Sequence, residues 1–223
     1  VSKIQGEKEI LKQALMEVAR KEIKRELKGD LRNKLKKISR YLTIGIDAME
    51  EQKYGGRHIE LVVWIDLKKN TMHFTGKSLP TNWQERRLIR EENLESHFVK
   101  SAYGNIMLLG CHDLNFFNPR GIATARRWRR CMRNKFIKMA KDFKPKYVIQ
   151  HPHYTDSNHI WKNGWAEMMH ELNSVMFYCS TWKYGQFKNG RPRQKLDKVL
   201  NATTNRPDNV INFYFNLGLN KIG

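Results

Sequence analysis

Three imidazoles and a carboxylate fall within nine positions, as His151, His153, Asp156 and His159 of the segment YVIQHPHYTDSNHIW. Donors of this kind suit a divalent transition metal, and a metal lowers the pKa of bound water toward neutrality. His151, His153 and Asp156 are therefore the candidate metal ligands, and a divalent metal ion the expected cofactor. A second group, Cys111-His112-Asp113, follows the apolar run NIMLLG, and His112 and Asp113 join the candidate catalytic set. A third run, VMFYC, ends in Ser180, Thr181, Trp182 and Lys183. Each group stands just past a short apolar run that reads as a buried strand. In open α/β sheets the crevice beyond the carboxyl ends of the strands is where ligands bind. The plainer alternative is that these side chains bond one another and cap the following helix.

Two short patterns resemble known families. HPHYTD is similar to the His-x-His-x-Asp-His signature of the metallo-β-lactamase fold, which also follows a strand. It departs from that signature by one extra residue before Asp156 and two residues before His159, and only about 70 residues follow it. Asp47 with Asp66-Leu67-Lys68 resembles the core of PD-(D/E)XK nucleases. That resemblance implies two carboxylates holding Mg²⁺ and a lysine near the attacking water, with Glu9 or Glu17 as the helical acid. Here Ile46-Asp47 replaces Pro-Asp, and Asp66 replaces the commoner Glu. Solvated charges at a hairpin end explain the same residues more simply.

The elements that must position these groups follow from periodicity. Residues 1–41 read as a basic helical arm, broken near Gly29-Asp30, with 13 Lys and Arg against 6 Asp and Glu. Such an arm is either a solvated amphipathic segment or a surface for a protein partner. Residues 42–223 read as one α/β domain. Strands are expected at 41–46, 59–67 and 71–75, the last two forming a hairpin, followed by a helix over 82–102. Strand–helix alternation then sets in, with strands at 105–110, 147–150 and 175–179 and helices at about 121–143 and 160–173. A basic loop over 184–193, a short helix near 194–201 and a strand over 210–215 complete the chain. The pattern predicts a Rossmann-like, mostly parallel sheet with an antiparallel hairpin and flanking helices, preceded by the basic helical segment. A crossover helix between 105–110 and 147–150 would leave the two strand ends on one side, with His112 or Asp113 within direct or one-water reach of His151, His153 or Asp156.

Charge points to the partner. The chain of 223 residues carries 42 Lys and Arg against 22 Asp and Glu, a net charge of +20. An excess of that size implies a polyanion, with nucleic acid, DNA or RNA, first among candidates. It is densest between Arg120 and Lys146, where 11 cations meet only Asp142. Arg126, Arg129, Arg130 and Arg133 share one helical stripe, and with Arg120 and Arg127 they are candidate phosphate contacts. Lys183, Arg191 and Arg193, interleaved with Trp182, Tyr184 and Phe187, are candidates for a single-stranded contact. No glycine pattern cradles a triphosphate, and no apolar run is long enough to span a bilayer. Cys111, Cys131 and Cys179 are odd in number and set among apolar residues. They read as reduced core thiols of an intracellular protein, cytoplasmic or nuclear. The chain begins at Val1, which fits a piece of a longer protein.

Two functions satisfy this pattern. One is a metal-dependent nuclease or phosphodiesterase working at the strand ends. The other is a nucleotide or nucleic-acid recognition domain that performs no chemistry and belongs to a larger assembly.

Overall fold

The computed structural model describes residues 2–49, 56–81, 84–118, 127–152, 158–182, 187–188, 191–192 and 210–214. The chain divides into two compact units, Val1–Ser96 and His97–Gly223. It is an α/β fold with one antiparallel and one mixed sheet, and a separate two-stranded hairpin. Among the described residues no helix is long and apolar enough to cross a membrane.

In the first unit, α1 (Ser2–Glu26) and α2 (Gly29–Ile38) precede β1 (Tyr41–Met49), β2 (His58–Asp66) and β3 (Thr71–Gly76). The helices part at Gly29, whose φ of +52° a glycine adopts without the steric cost of a Cβ. The three strands form an antiparallel meander in the order β1-β2-β3. Alternation along β2 points Ile59, Leu61, Val63 and Ile65 to one face, where they bury against Ala19 and Ile23 of α1. Leu11, Leu15 and Met16 of α1, Leu27 just beyond it and Leu35 of α2 pack on the same core. Arg32 donates to the Leu67 carbonyl at 2.9 Å, which ties α2 to the end of β2.

The helix expected over 82–102 does not form. Turns occupy residues 84–87, a 3-10 turn covers Leu94–His97, and β4 (Phe98–Ser101) follows. Local side chains capture the backbone groups a helix would need. Glu91 Oε1 accepts from the Asn93 N–H, Asn93 Oδ1 accepts from the Glu95 N–H, and Ser96 Oγ donates to the Asn93 carbonyl.

In the second unit, β4 is followed by β5 (Gly104–Leu109), a 3-10 turn at Asp113–Phe116, α3 (Arg127–Phe143) and β6 (Tyr147–Gln150). Then come α4 (Asn158–Glu171), β7 (Phe177–Trp182), the hairpin of β8 (Phe187–Lys188) and β9 (Arg191–Pro192), and β10 (Val210–Tyr214). The five-stranded sheet has the order β10-β7-β6-β5-β4. Its pairings are parallel except at β4–β5, so the sheet is mixed. The helix expected near 194–201 lies outside the described residues.

Packing in this unit centres on Phe136 of α3, which is fully buried and stacks on Phe116 with ring centroids 4.1 Å apart. His97, which sequence reasoning passed over, is also fully buried. Its ring meets Phe136 edge-on, and its Nδ1 lies 2.7 Å from the Leu108 carbonyl oxygen. Helix α3 ends at Lys144, whose φ of +52° turns the chain out of the helix just before Pro145. Gly164 lets α4 approach the turn after β5, because a Cβ there would come within 3.1 Å of Leu114.

Candidate functional site

Leu109 of β5 is in register with Gln150 of β6, and the two strands run parallel. The His151 N–H continues the ladder by donating to the Leu109 carbonyl at 3.0 Å. The two carboxyl ends therefore lie side by side, and the loops carrying His112 and His151 leave the sheet together. Side chains tie these ends. The Gln150 amide donates to the Cys111 carbonyl at 3.1 Å, and the Tyr178 hydroxyl of β7 donates to Gln150 Oε1. Gln150 and Tyr178 are both buried, so the hydrogen bonds offset the cost of placing polar groups in the core.

Asp113 and His112 each have a local bond. The fully buried Asp113 accepts the Gly110 N–H on Oδ2 at 2.9 Å, closing the turn after β5. Asn115 Nδ2 stands 2.7 Å from His112 Nδ1. As acceptor of that amide, a neutral His112 carries its proton on Nε2. His112 and His151 are both half-exposed. His153 and Asp156 lie outside the described residues, as do Arg120, Arg126, Lys183 and Arg193. Of His159 and Arg191 only the backbone is described. Among the described residues no group of three or more His, Cys, Asp or Glu side chains is arranged to hold a metal ion.

Helix α3 places its cations unequally. Phe136, Ile137 and Ala140 form its buried face. Arg133 precedes them by one turn on the same face and reaches Glu171 of α4 at 4.0 Å. Burial lowers the Arg133 pKa, against the neighbouring Glu171 and Glu167. Lys141 also pairs with Glu171, at 2.6 Å, and its hydrogen bond holds the Glu171 carboxyl below the ordinary carboxylate range. Arg129 is half-buried, with its guanidinium 5.1 Å from the Trp128 ring centroid. The outward cations are Arg127, Arg130, Lys135 and Lys138. The exposed stripe is thus rotated from the one drawn through Arg126, Arg129, Arg130 and Arg133. Cys131 lies on this exposed side, correcting its assignment as a core thiol, whereas Cys111 is buried.

The nuclease-like set of Asp47, Asp66 and Lys68 does not converge. Asp47 stands opposite Glu60, whereas Asp66 stands opposite Tyr41. Six residues of strand separate the two levels, about 20 Å at the usual rise. Asp66 instead shapes the turn after β2: its Oδ1 accepts the Lys68 and Lys69 N–H groups, each at 2.9 Å.

Asp47 belongs to a different cluster, one that sequence reasoning missed. His58 Nε2 lies 2.9 Å from Glu60 Oε1 and 3.5 Å from Asp47 Oδ1. Lys77 Nζ reaches the same Glu60 oxygen at 2.7 Å and donates to Gln84 Oε1 at 2.8 Å. The Gln84 amide returns to Glu60 Oε1 at 3.1 Å. His58, Glu60, Lys77 and Gln84 are all buried. The Lys77 ammonium already occupies the place a cation would take beside Glu60. This arrangement joins β2 to Lys77 and Gln84.

No protein-family model matches the chain, and no curated protein matches it significantly.

Proposed function

We propose that the second unit binds the phosphate backbone of nucleic acid across the carboxyl ends of its parallel strands, and that the histidine loop there carries metal-dependent phosphodiester hydrolysis. The observation that supports this reading is the common direction of β5, β6 and the connection between them. The C-terminal end of α3 is held at the start of β5, where Asn105 donates to the Phe143 carbonyl and the Lys146 N–H bonds the Asn105 carbonyl at 2.8 Å. Helix α3 has 17 residues, about 25 Å, so its first turn reaches the opposite end of the strands. That is the end from which His112 and His151 emerge. Arg127 and Arg130 thus stand at the same end of the sheet as the histidine loops, where the positive pole of the helix adds to their charge. We read the mixed sheet as Rossmann-like on the strength of its parallel strands.

In this reading His151, His153 and Asp156 hold the divalent ion, a donor set of imidazole and carboxylate that suits a borderline metal. When bound, the ion supplies a Lewis acid for the phosphodiester and neutralises part of its charge. Arg127 and Arg130 position the backbone. Asp113 keeps the turn after β5 closed, and so fixes where His112 leaves the sheet.

A specific observation favours the non-catalytic alternative: Asp113 and His112 already bond Gly110 and Asn115, as structural residues do. One assay separates the two. Metal content of the purified chain is measured together with cleavage of labelled single- and double-stranded DNA and RNA, with and without chelator. The nuclease reading expects bound metal and chelator-sensitive cleavage that His151→Ala abolishes while binding persists. Binding without cleavage, unaffected by chelator, leaves a recognition domain.

A further inference from the structure

Helix α1 has two apolar faces, only one of which meets the core of its unit. The inner face carries the buried Ala19 and Ile23, with Leu11, Leu15 and Met16 beside them. On the opposite side Ile10 is 72% exposed and Val18 57%, with the exposed Ala14 between them. Spacing of i, i+4, i+8 lines the three up in one stripe. Glu7 and Lys21, both exposed, continue the stripe at its two ends. Neither makes an ion pair among the described residues.

The stripe is symmetric about Ala14. Ile10 and Val18 lie four residues to either side of it, and Glu7 and Lys21 lie seven. We propose that this face joins two copies of the chain, their α1 helices packed antiparallel around a two-fold axis at Ala14. A two-fold contact must be self-complementary, each residue i meeting j while j meets i. Antiparallel packing about Ala14 sets Ile10 against Val18 of the second copy, and Glu7 against its Lys21, twice over. Parallel packing would instead oppose Glu7 to Glu7 and Lys21 to Lys21. The charges therefore select both the partner and the direction. Ala14 at the centre allows an axial separation of about 8 Å, near the lower limit for packed helices. A single helix pair is a small interface, so the dimer is weak, with a dissociation constant on the order of micromolar.

Sedimentation of the full chain across the micromolar range tests this, at about 0.15 M salt to screen the repulsion between two basic chains. The wild-type chain should dimerise. Glu7→Lys and Lys21→Glu should each weaken the dimer by about tenfold or more, since each turns two attractions into repulsions. The double variant, with the charges exchanged, should regain wild-type affinity to within a few fold, which a general loss of stability would not produce. Circular dichroism checks that each variant keeps its helices. A wild-type chain that stays monomeric throughout, or an exchange that fails to rescue the dimer, overturns the proposal.

Discussion

A buried lysine beside a buried glutamate is the most consequential residue-level feature of the first unit. Lys77 and Glu60 have side chains only 2% and 6% exposed and are 2.7 Å apart. Desolvating both charges costs several kcal/mol, which their attraction and the Gln84 and His58 contacts must offset. Removing one partner leaves the other charge buried and uncompensated. Lys77→Met should therefore lower stability by about 3–5 kcal/mol, read from the denaturant midpoint at unchanged slope. Combining it with Glu60→Gln removes both charges and should recover much of the loss. A double variant no more stable than the single one would show that packing around Lys77, not its charge, dominates. None of this was legible in the sequence. Glu60 sits in the largely apolar run IELVVWIDL, where nothing in the sequence marks it for a partner 17 residues on, and Lys77 follows the strand that ends at Gly76. The cluster exists only because the chain after β3 brings Lys77 and Gln84 back onto Glu60 of β2.

At the scale of elements, β1 to β3 and β5 to β7 were readable from β-branched and apolar runs bounded by turn residues. The side-by-side carboxyl ends of β5 and β6 followed from the strand–helix–strand order alone. The stretch over 82–102 was misread because its apolar spacing imitates a helix while Glu91, Asn93 and Ser96 bond the backbone locally. The arginine helix forms over the described part of its expected range, Arg127–Phe143, but with a different rotation. Spacing groups Arg133 with Arg129 and Arg130, whereas the burial of Phe136, Ile137 and Ala140 turns Arg133 toward Glu171. The two kinds of arginine should separate experimentally. Arg127→Ala with Arg130→Ala should weaken nucleic-acid binding and flatten the slope of log affinity against log salt by about one unit per lost contact. Arg133→Ala should leave that slope unchanged and lower the melting temperature instead, since it removes a partner of Glu171. A slope that responds to Arg133 and not to the outer pair would put the nucleic acid on the other side of α3.

Charge is divided unevenly over the whole molecule. The unit His97–Gly223 carries 21 Lys and Arg against 7 Asp and Glu, which is +14 of the total +20. The first unit holds as many cations but 15 acids, and several of its cations are spent internally. Lys12, for example, pairs with Glu9 and Glu91, and Lys77 with Glu60. Acidic and basic residues also alternate along α1, where Arg20 and Arg25 lie against Glu17 and Glu22. Counterion release depends on cations that neutralise phosphates, so equal numbers of positive charges need not contribute equally. Exposed Lys34, Lys36 and Lys37 of α2 provide the comparison with Arg127, Arg130 and Lys138 of α3. Each trio is changed to Gln, which removes three charges and keeps a long polar side chain. If the second unit is the nucleic-acid surface, the α3 trio should lower affinity by about tenfold or more at about 0.15 M salt. The α2 trio should then change it only a few fold, because cations that neutralise no phosphate release no counterions on binding. Equal losses from the two trios would mean that binding follows net charge alone, and would remove the strand-end surface as a defined site.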